Sequence, residues 1–336
     1  MSTNNRQGLP DLLKGIAVLL MIQVHLTEFF ARPDIFHSFP GRISLFLGGP
    51  PAAPVFMVVM GIFLSRTGKT PRQLLVRGAM LFGGGFLLNA GLNAHLFVRI
   101  ALGHVEVNPW GYLFGVDILF LAGMSVGIIA FFRPLLRSAR PVGFLTALAL
   151  SALALWAPDS APGVFRFPLA FLWAKADWSY FPLVPWLAWP LAGYSLGMFL
   201  SKPVPRAVRW SVLAVSAVVV LVAFPFGFRV SSALPEYYHH GPLFFLWTLC
   251  FVILWAGIFA GLNRVAGLGY LKWLGRNVTA AYVFQWLLVG NIATAIYRTR
   301  GWGDLVAWFL AIVLAVSLLV LGWERLREAI MKPGRG

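Results

Sequence analysis

LPDLLKGIAVLLMIQVHLTEFF, residues 9–30, is long enough as a helix to cross a bilayer, yet it carries Asp11, Lys14, His25 and Glu28. Ionisable groups within a span are costly and usually face a bundle interior or a water-filled cavity. Lys14 and His25 stand eleven residues apart, about three turns and roughly 16 Å along a helix axis. Glu28 follows His25 by one turn and Asp11 precedes Lys14 by one turn, so the four share one side of the helix, while Gln23 points elsewhere. The stretch reads as a membrane helix with a polar stripe running from one surface toward the other.

The rest of the chain agrees. Of 336 residues, 59% are hydrophobic and 11% charged, with a mean hydropathy of +0.79; soluble chains carry about 25% charged residues. Aromatic residues suit a protein with many membrane–water boundaries. The expectation is a single all-α, polytopic integral membrane domain over residues 1–336. One cysteine, Cys250, leaves no disulfide framework and no Cys-based metal site. The first apolar run is too long and too charged for a cleavable signal peptide, so it is expected to stay as a signal anchor.

Apolar runs of about 20 residues predict about ten membrane helices, at 9–30, 43–65, 73–97, 112–132, 142–157, 180–200, 208–228, 242–262, 277–297 and 303–323. The fifth is short, and the third holds the run Gly83, Gly84, Gly85. With both termini cytoplasmic, 19 of the 27 Lys and Arg residues fall in inner segments, among them Arg6, Arg264, Lys332 and Arg335. That asymmetry follows the positive-inside rule. It also accounts for the net charge of +16 without nucleic acid, because basic groups spread over all the cytoplasmic loops serve topology and lipid contact. The expected location is a bacterial inner (plasma) membrane.

Depth sorts the polar residues. His25 lies five residues from the outer end of its run, about 8 Å below the surface. Asn93 and His95 near the outer end of the third run, and Asp117 near the start of the fourth, fall in the same layer, with Asn89 one turn deeper. His25 is the best general base of this set because an imidazole titrates near neutrality. Glu28, one turn on, or Asp117, from another helix, would orient it. An oxyanion donor would also be needed; Asn93, Gln285 and backbone amides freed near Gly49 are candidates. Those amides belong to GGPPAAPVFMVVMG (residues 48–61), whose prolines cannot sit in regular helix. Just inside, RTGKTPRQLLVRG (residues 66–78) supplies Arg66, Lys69, Arg72 and Arg77 as candidate phosphate contacts. His239 and His240 lack a third ligand at helical spacing and read as an exposed loop pair; no metal is expected.

VHLTEFF, GGPPAAPVFMVVMGIFLS and RQLLVRGAMLF together resemble the catalytic domain of heparan-alpha-glucosaminide N-acetyltransferase and its bacterial relatives, within a wider set of transmembrane acyltransferases. WGYLFGVDILFLAGMSVGIIAFF, FPLVPWLAWPLAGYSLG and GRNVTAAYVFQWLL look like later motifs of the same superfamily, so blocks at 9–97, 110–132, 180–200 and 272–290 carry the likeness. The resemblance implies transfer of an acyl group, usually acetyl from acetyl-CoA, to a hydroxyl or amine of a glycan or glycolipid across the membrane. It offers two positions for the catalytic histidine, His25 and His37. The depth and carboxylate neighbours of His25 favour the former. Related bacterial O-acyltransferases place an Arg eleven residues before that histidine; Lys14 stands there instead, keeping the charge without the fork.

The function expected is acyl-CoA-dependent transfer. His25, Glu28 and Asp117 are the catalytic candidates, Lys14, Arg66, Arg72 and Arg77 hold the acyl-CoA, and Asn93, His95 and Gln285 line the acceptor. Membrane lipids and an extracytoplasmic glycan or glycolipid are the partners expected, with homo-oligomerisation left open. The alternative is a transporter or flippase in which the same stripe relays protons; a purely structural membrane protein would have no use for it.

Overall fold

A computed structural model describes residues 8–159, 163–263 and 267–331, together with the side chains in them except those of Arg140 and Met331. Arg6, Arg264, Lys332 and Arg335, used in the orientation count, lie outside the described residues. Among the described residues all the regular elements are helical. In chain order they begin with α1 (Gly8–Phe29), α2 (Pro33–Phe36), α3 (Phe39–Gly48), α4 (Ala53–Arg66), α5 (Pro71–Leu92), α6 (Ala94–Ala101), α7 (Pro109–Leu113), α8 (Ile118–Ser138) and α9 (Arg140–Leu153). They continue with α10 (Arg166–Leu172), α11 (Leu183–Trp186), α12 (Ala188–Phe199), α13 (Arg206–Val222), α14 (Phe224–Ser231) and α15 (Leu234–Tyr238). The last four are α16 (Pro242–Leu262), α17 (Gly269–Arg276), α18 (Val278–Ile296) and α19 (Trp302–Met331).

Each of the ten expected runs contains helix, but not each is a full span. Among the described residues, seven helices are long and apolar enough to cross a membrane, α3 and α4 counting together as one, or eight if α13 and α14, bent by 70° at their junction, also count together. The expected fifth run forms only the 14 residues of α9 with a short 3₁₀ extension. The sixth is split into α11 and α12, with three prolines among its residues. Proline removes a donor and clashes with the preceding turn, so hydropathy counts such a run as one span where the backbone breaks. The third run departs in the opposite sense. Its triple glycine stays within continuous helix, while α5 stops at Leu92 and Asn93 begins a turn into α6. Asn93 and His95 therefore belong to a separate short helix rather than to the expected span.

The packing divides into two compact units, one formed by residues 1–48, 91–105 and 259–336, the other by 49–90 and 106–258. In the first unit α1 is central, and small residues let other backbones approach it. A Cβ on Gly15 would run into the Leu271 carbonyl of α17, and one on Gly275 into the Asp11 carbonyl of α1. The contact is reciprocal, glycine against carbonyl on both sides, as membrane helices often pack where no apolar driving force separates helix from lipid. On another face Gln23 bonds α3: its Nε2 donates to the Ser44 carbonyl at 3.0 Å and its Oε1 accepts from Ser44 Oγ at 2.6 Å. Gln23 thus points away from the stripe, into a helix junction. After α18, the Arg298 N–H donates to Phe29 O at 2.9 Å and the Arg300 N–H to Phe30 O at 2.8 Å. That clip puts the start of α19 at the far end of α1, so α1 and α19 run antiparallel and residues 8 and 331 lie toward the same side of this unit.

The second unit repeats the glycine device between α4 and α12, where a Cβ on Gly61 would meet the Pro190 carbonyl and one on Gly193 the Val58 carbonyl. Phe82, Phe86, Phe120 and Phe171 pack edge to face or tilted nearby, at 4.8–6.2 Å between ring centroids. His239 and His240, expected on an exposed loop, are instead drawn into this unit. His240 is 2% exposed, against Trp186 at 5.2 Å and Trp189 at 5.5 Å, with Nδ1 2.8 Å from the Tyr237 carbonyl. The dense run of aromatics on α11, α12 and α15 buries the loop that two histidines alone would leave in water. Burial in those rings holds the His240 imidazole neutral, its pKa pushed down to about 4.

Candidate active site

His25 and Glu28 lie on the last two turns of α1. His25 is half-buried, its ring 4.0 Å from that of Trp286 and tilted by 34°. Its Nδ1 is 3.3 Å from Gln285 Nε2. Phe29 meets the same Trp286 edge-on at 5.8 Å. Gln285 is fully buried, and its Oε1 has no hydrogen-bond partner; neither does Trp286 Nε1. Glu28, one turn from His25 and half-buried, forms no hydrogen bond or ion pair among the described residues.

An amide beside an imidazole has two arrangements, and they differ chemically. With Gln285 Nε2 toward the ring, Nδ1 accepts and Nε2 of His25 carries the hydrogen, so the ring can only donate outward. With the amide reversed, Oε1 accepts from Nδ1–H and Nε2 is free to take a proton. Gln285 thus selects whether His25 is a donor or a base, and Trp286 fixes the plane in which it acts. The unsatisfied Gln285 oxygen is what the reversal would use. A buried polar atom without a partner is rare and needs a reason.

The Lys14 end of the stripe is built differently. Lys14 Nζ pairs with Asp11 Oδ1 at 2.8 Å across one turn, confirming that the two share a face. Below them, α17 is tied to α19: Trp273 Nε1 donates to Glu324 Oε2 at 2.8 Å and Asn277 Nδ2 to Glu324 Oε1 at 2.7 Å. Together with the Gly15 and Gly275 contact this holds α1 in fixed register. Three turns separate the ion pair from the histidine, so α1 carries an ion pair at one end and an imidazole at the other.

Of the other expected residues, His95 is exposed on α6, where its backbone N–H donates to Asn291 Oδ1 at 2.8 Å. Asn291 follows Gln285 by six residues on α18, about 9 Å further along, so His95 and His25 touch one helix at different levels. Asn93 accepts from the Phe97 N–H at 2.9 Å through its carbonyl. His37 is exposed and ends α2, its ring edge-on to Phe36 at 5.0 Å. In the second unit, Asp117 caps α8, its Oδ1 accepting from Leu119 N at 2.8 Å and Phe120 N at 3.4 Å. Asn89 holds the segment before it by donating to the carbonyls of Leu113 and Gly115 at 2.9 and 2.8 Å. The Gly49 region leaves regular helix between Gly48 and Ala53, as the prolines require.

Arg66, Lys69, Arg72 and Arg77 are all exposed. Their loop is anchored by buried Arg133, whose guanidinium donates to the Lys69 carbonyl at 2.7 Å and also to the Thr67 carbonyl. Neither Arg133 nor Trp286 stood out in the sequence. Arg133 looks like one more positive-inside charge, and a tryptophan in an apolar run has no distinguishing signal. Gln285 did stand out, as a candidate oxyanion donor.

The family model for the acyltransferase domain of family 3 matches residues 9–324, nearly the whole chain. The chain belongs to the acyltransferase family 3. Comparison with curated proteins and with solved structures returned no match. The family spans both units, and in this acyltransferase it agrees with the expected transmembrane acyltransferase superfamily and with a multi-pass membrane protein. Acyl transfer is the chemistry to which an imidazole with an adjustable partner is suited, and nothing supports the transport alternative.

Proposed function

We propose that the protein transfers an acyl group, acetyl in the first instance, from cytoplasmic acyl-CoA to a hydroxyl or amine of an extracytoplasmic glycan or glycolipid. The observation that carries the reading is the half-buried His25 ring held between Gln285 and Trp286, with Glu28 unengaged one turn away. With Nδ1–H bonded to Gln285 Oε1, His25 Nε2 takes the proton from the acceptor. The acceptor oxygen or nitrogen forms a bond to the thioester carbonyl carbon. The carbon–sulfur bond then breaks, the thiolate takes the proton from the imidazolium, and acylated acceptor and free CoA leave. Glu28 stabilises the imidazolium between the two transfers.

For the donor, the exposed loop of Arg66, Arg72 and Arg77 is a candidate phosphate contact, guanidinia being suited to that geometry; Lys14 is a separate candidate. The glycan acceptor rests on the blocks that resemble heparan-alpha-glucosaminide N-acetyltransferase. Antiparallel α1 and α19 support both termini lying on one side, cytoplasmic by the distribution of basic residues, in a bacterial inner membrane.

The test is transfer of radiolabelled acetyl from acetyl-CoA to an envelope glycan fraction by purified protein in nanodiscs. His25→Ala is expected to lower the rate by about 10²–10⁴-fold, the usual worth of a general base, with His37→Ala close to wild type. Activity retained in His25→Ala and lost in His37→Ala would reverse the assignment. No label transfer and no CoA binding by wild type would end the acyl-CoA reading.

A further inference from the structure

Just beyond Glu28, the clip that closes the end of α1 brings two arginines with it. Besides the bonds to Phe29 and Phe30, the Arg32 N–H returns to Arg300 O at 3.0 Å, so Ala31 and Arg300 form a parallel bridge. Phe30 lies two residues past Glu28 and five past His25, about 3 and 8 Å of helical rise. The clip therefore fixes the backbone of residues 298–300 at the end of α1, about one to two turns beyond His25. Arg298 adopts φ +53°, the one non-glycine residue in the left-handed region among those described. Such conformations are costly and cluster at functional positions. Its guanidinium lies 5.5 Å from the Phe36 ring centre and 5.2 Å from that of Tyr297. Arg300 Nε is buried and has no hydrogen-bond partner.

Nearby acids are engaged elsewhere. Asp34 pairs with Arg32 at 3.0 Å, and Asp304 Oδ2 accepts from the Gly301 N–H at 3.4 Å. Neither Arg298 nor Arg300 has a carboxylate within ion-pair reach among the described residues. Two guanidinia on a rigid clip, one with a buried donor left over, match a planar oxyanion. We infer that Arg298 and Arg300 form an anion subsite beside His25, and that the acceptor, or the lipid that carries it, bears a carboxylate or phosphate there. The word acceptor rests on the acyl-transfer reading; the anion site does not. Aromatic rings under Arg298 keep its fork in place, so the anionic group would fix which hydroxyl or amine of the acceptor reaches His25.

The experiment uses full-length protein in phosphatidylcholine nanodiscs, without acyl-CoA, so that anion binding and acyl transfer are read apart. Glucuronate, glucose 1-phosphate and glucose are titrated, with binding followed by saturation-transfer NMR. At least one of the two anions is expected to bind about tenfold tighter than glucose, the worth of one charge-assisted contact. Arg298→Gln and Arg300→Gln each remove most of that preference and leave glucose unaffected. Arg300→Lys keeps part of it, and Arg327→Gln, on the exposed end of α19, changes nothing. Should Arg300→Gln not fold, exposed Arg298 carries the test. Nanodiscs with phosphatidylglycerol separate the sources: displacement of the sugar anion assigns the subsite to a lipid carrier's headgroup, and its absence to an acidic group on the acceptor. The inference is overturned if both glutamine variants keep the preference. It is overturned equally if neither anion binds better than glucose and phosphatidylglycerol, read by native mass spectrometry, binds wild type and both glutamine variants alike.

Discussion

Gly275→Ala and Gly83→Ala are the same chemical change on two helices, and the structure predicts opposite signs. In a helix interior alanine is favoured over glycine by about 1 kcal/mol. At Gly83, on the exposed side of α5, an added Cβ meets nothing within 4 Å. That variant should gain stability, by up to about 1 kcal/mol. At Gly275 the Cβ would be driven into the Asp11 carbonyl, with the Gly15 backbone nitrogen close behind. A backbone carbonyl cannot rotate aside as a side chain can, so α1 and α17 must separate. Overpacking costs about 1–3 kcal/mol, and the rigid partner puts this case near the top of the range. Subtracting the propensity gain leaves a net loss of about 2 kcal/mol, and a gap of about 3 kcal/mol between the two variants. Unfolding in dodecylmaltoside micelles, followed by circular dichroism against temperature or added sodium dodecyl sulfate, measures it. Gly15→Ala should mimic Gly275→Ala, and the double variant should lose less than the two losses added, because one separation relieves both contacts. The reasoning fails if Gly275→Ala is as stable as wild type, or if Gly83→Ala falls as far.

Three further outcomes follow from other features. Gln285→Leu should slow transfer by about tenfold through loss of the bond that sets the His25 tautomer, whereas Gln285→Glu, which can only accept from Nδ1–H, should retain more activity than Leu; initial rates at saturating acetyl-CoA decide, and equal rates for the two variants would dismiss the tautomer argument. His240 has a folded-state pKa near 4, below its unfolded value of 6.5, so as pH falls the unfolded chain takes the proton first. Its contribution to stability is flat above about pH 6.5 and is lost toward pH 4, about 2 kcal/mol by pH 5; unfolding measured at pH 7 and 5 in wild type and His240→Phe should show the slope reduced in the variant. Arg133→Leu removes two guanidinium bonds to the carbonyls of Thr67 and Lys69, a loss of about 2–3 kcal/mol, and should expose the Arg66–Arg77 loop to trypsin; an unchanged cleavage rate would refute the anchoring role.

Hydropathy and charge placement made the helical membrane architecture readable from residues 9–30 outward, because period and composition are local properties. The face shared by Asp11 and Lys14 was readable for the same reason, and their ion pair bears it out. What stayed hidden is long-range. Gln285 approaches His25 across 260 positions, and no local pattern says which of several amides will do so. The division of the apolar run at 180–200 into α11 and α12 was not readable from hydropathy, which does not register lost backbone donors. The burial of His240 was missed because it depends on rings from three separate helices, whereas its own neighbours, Tyr237, Tyr238 and Gly241, look like a wet loop.

The unit that holds His25 is assembled from the two ends of the chain and a short middle piece. During synthesis, α1 emerges well before Gln285, Trp286 and the arginine clip, which are encoded more than 250 positions later. At about 5–20 residues per second, His25 waits on the order of tens of seconds in lipid, or in the care of the insertion machinery, before its partners Gln285 and Trp286 exist. Chains cut short before α18 leave that imidazole without Gln285 and Trp286, and the later helices are therefore what shelters it.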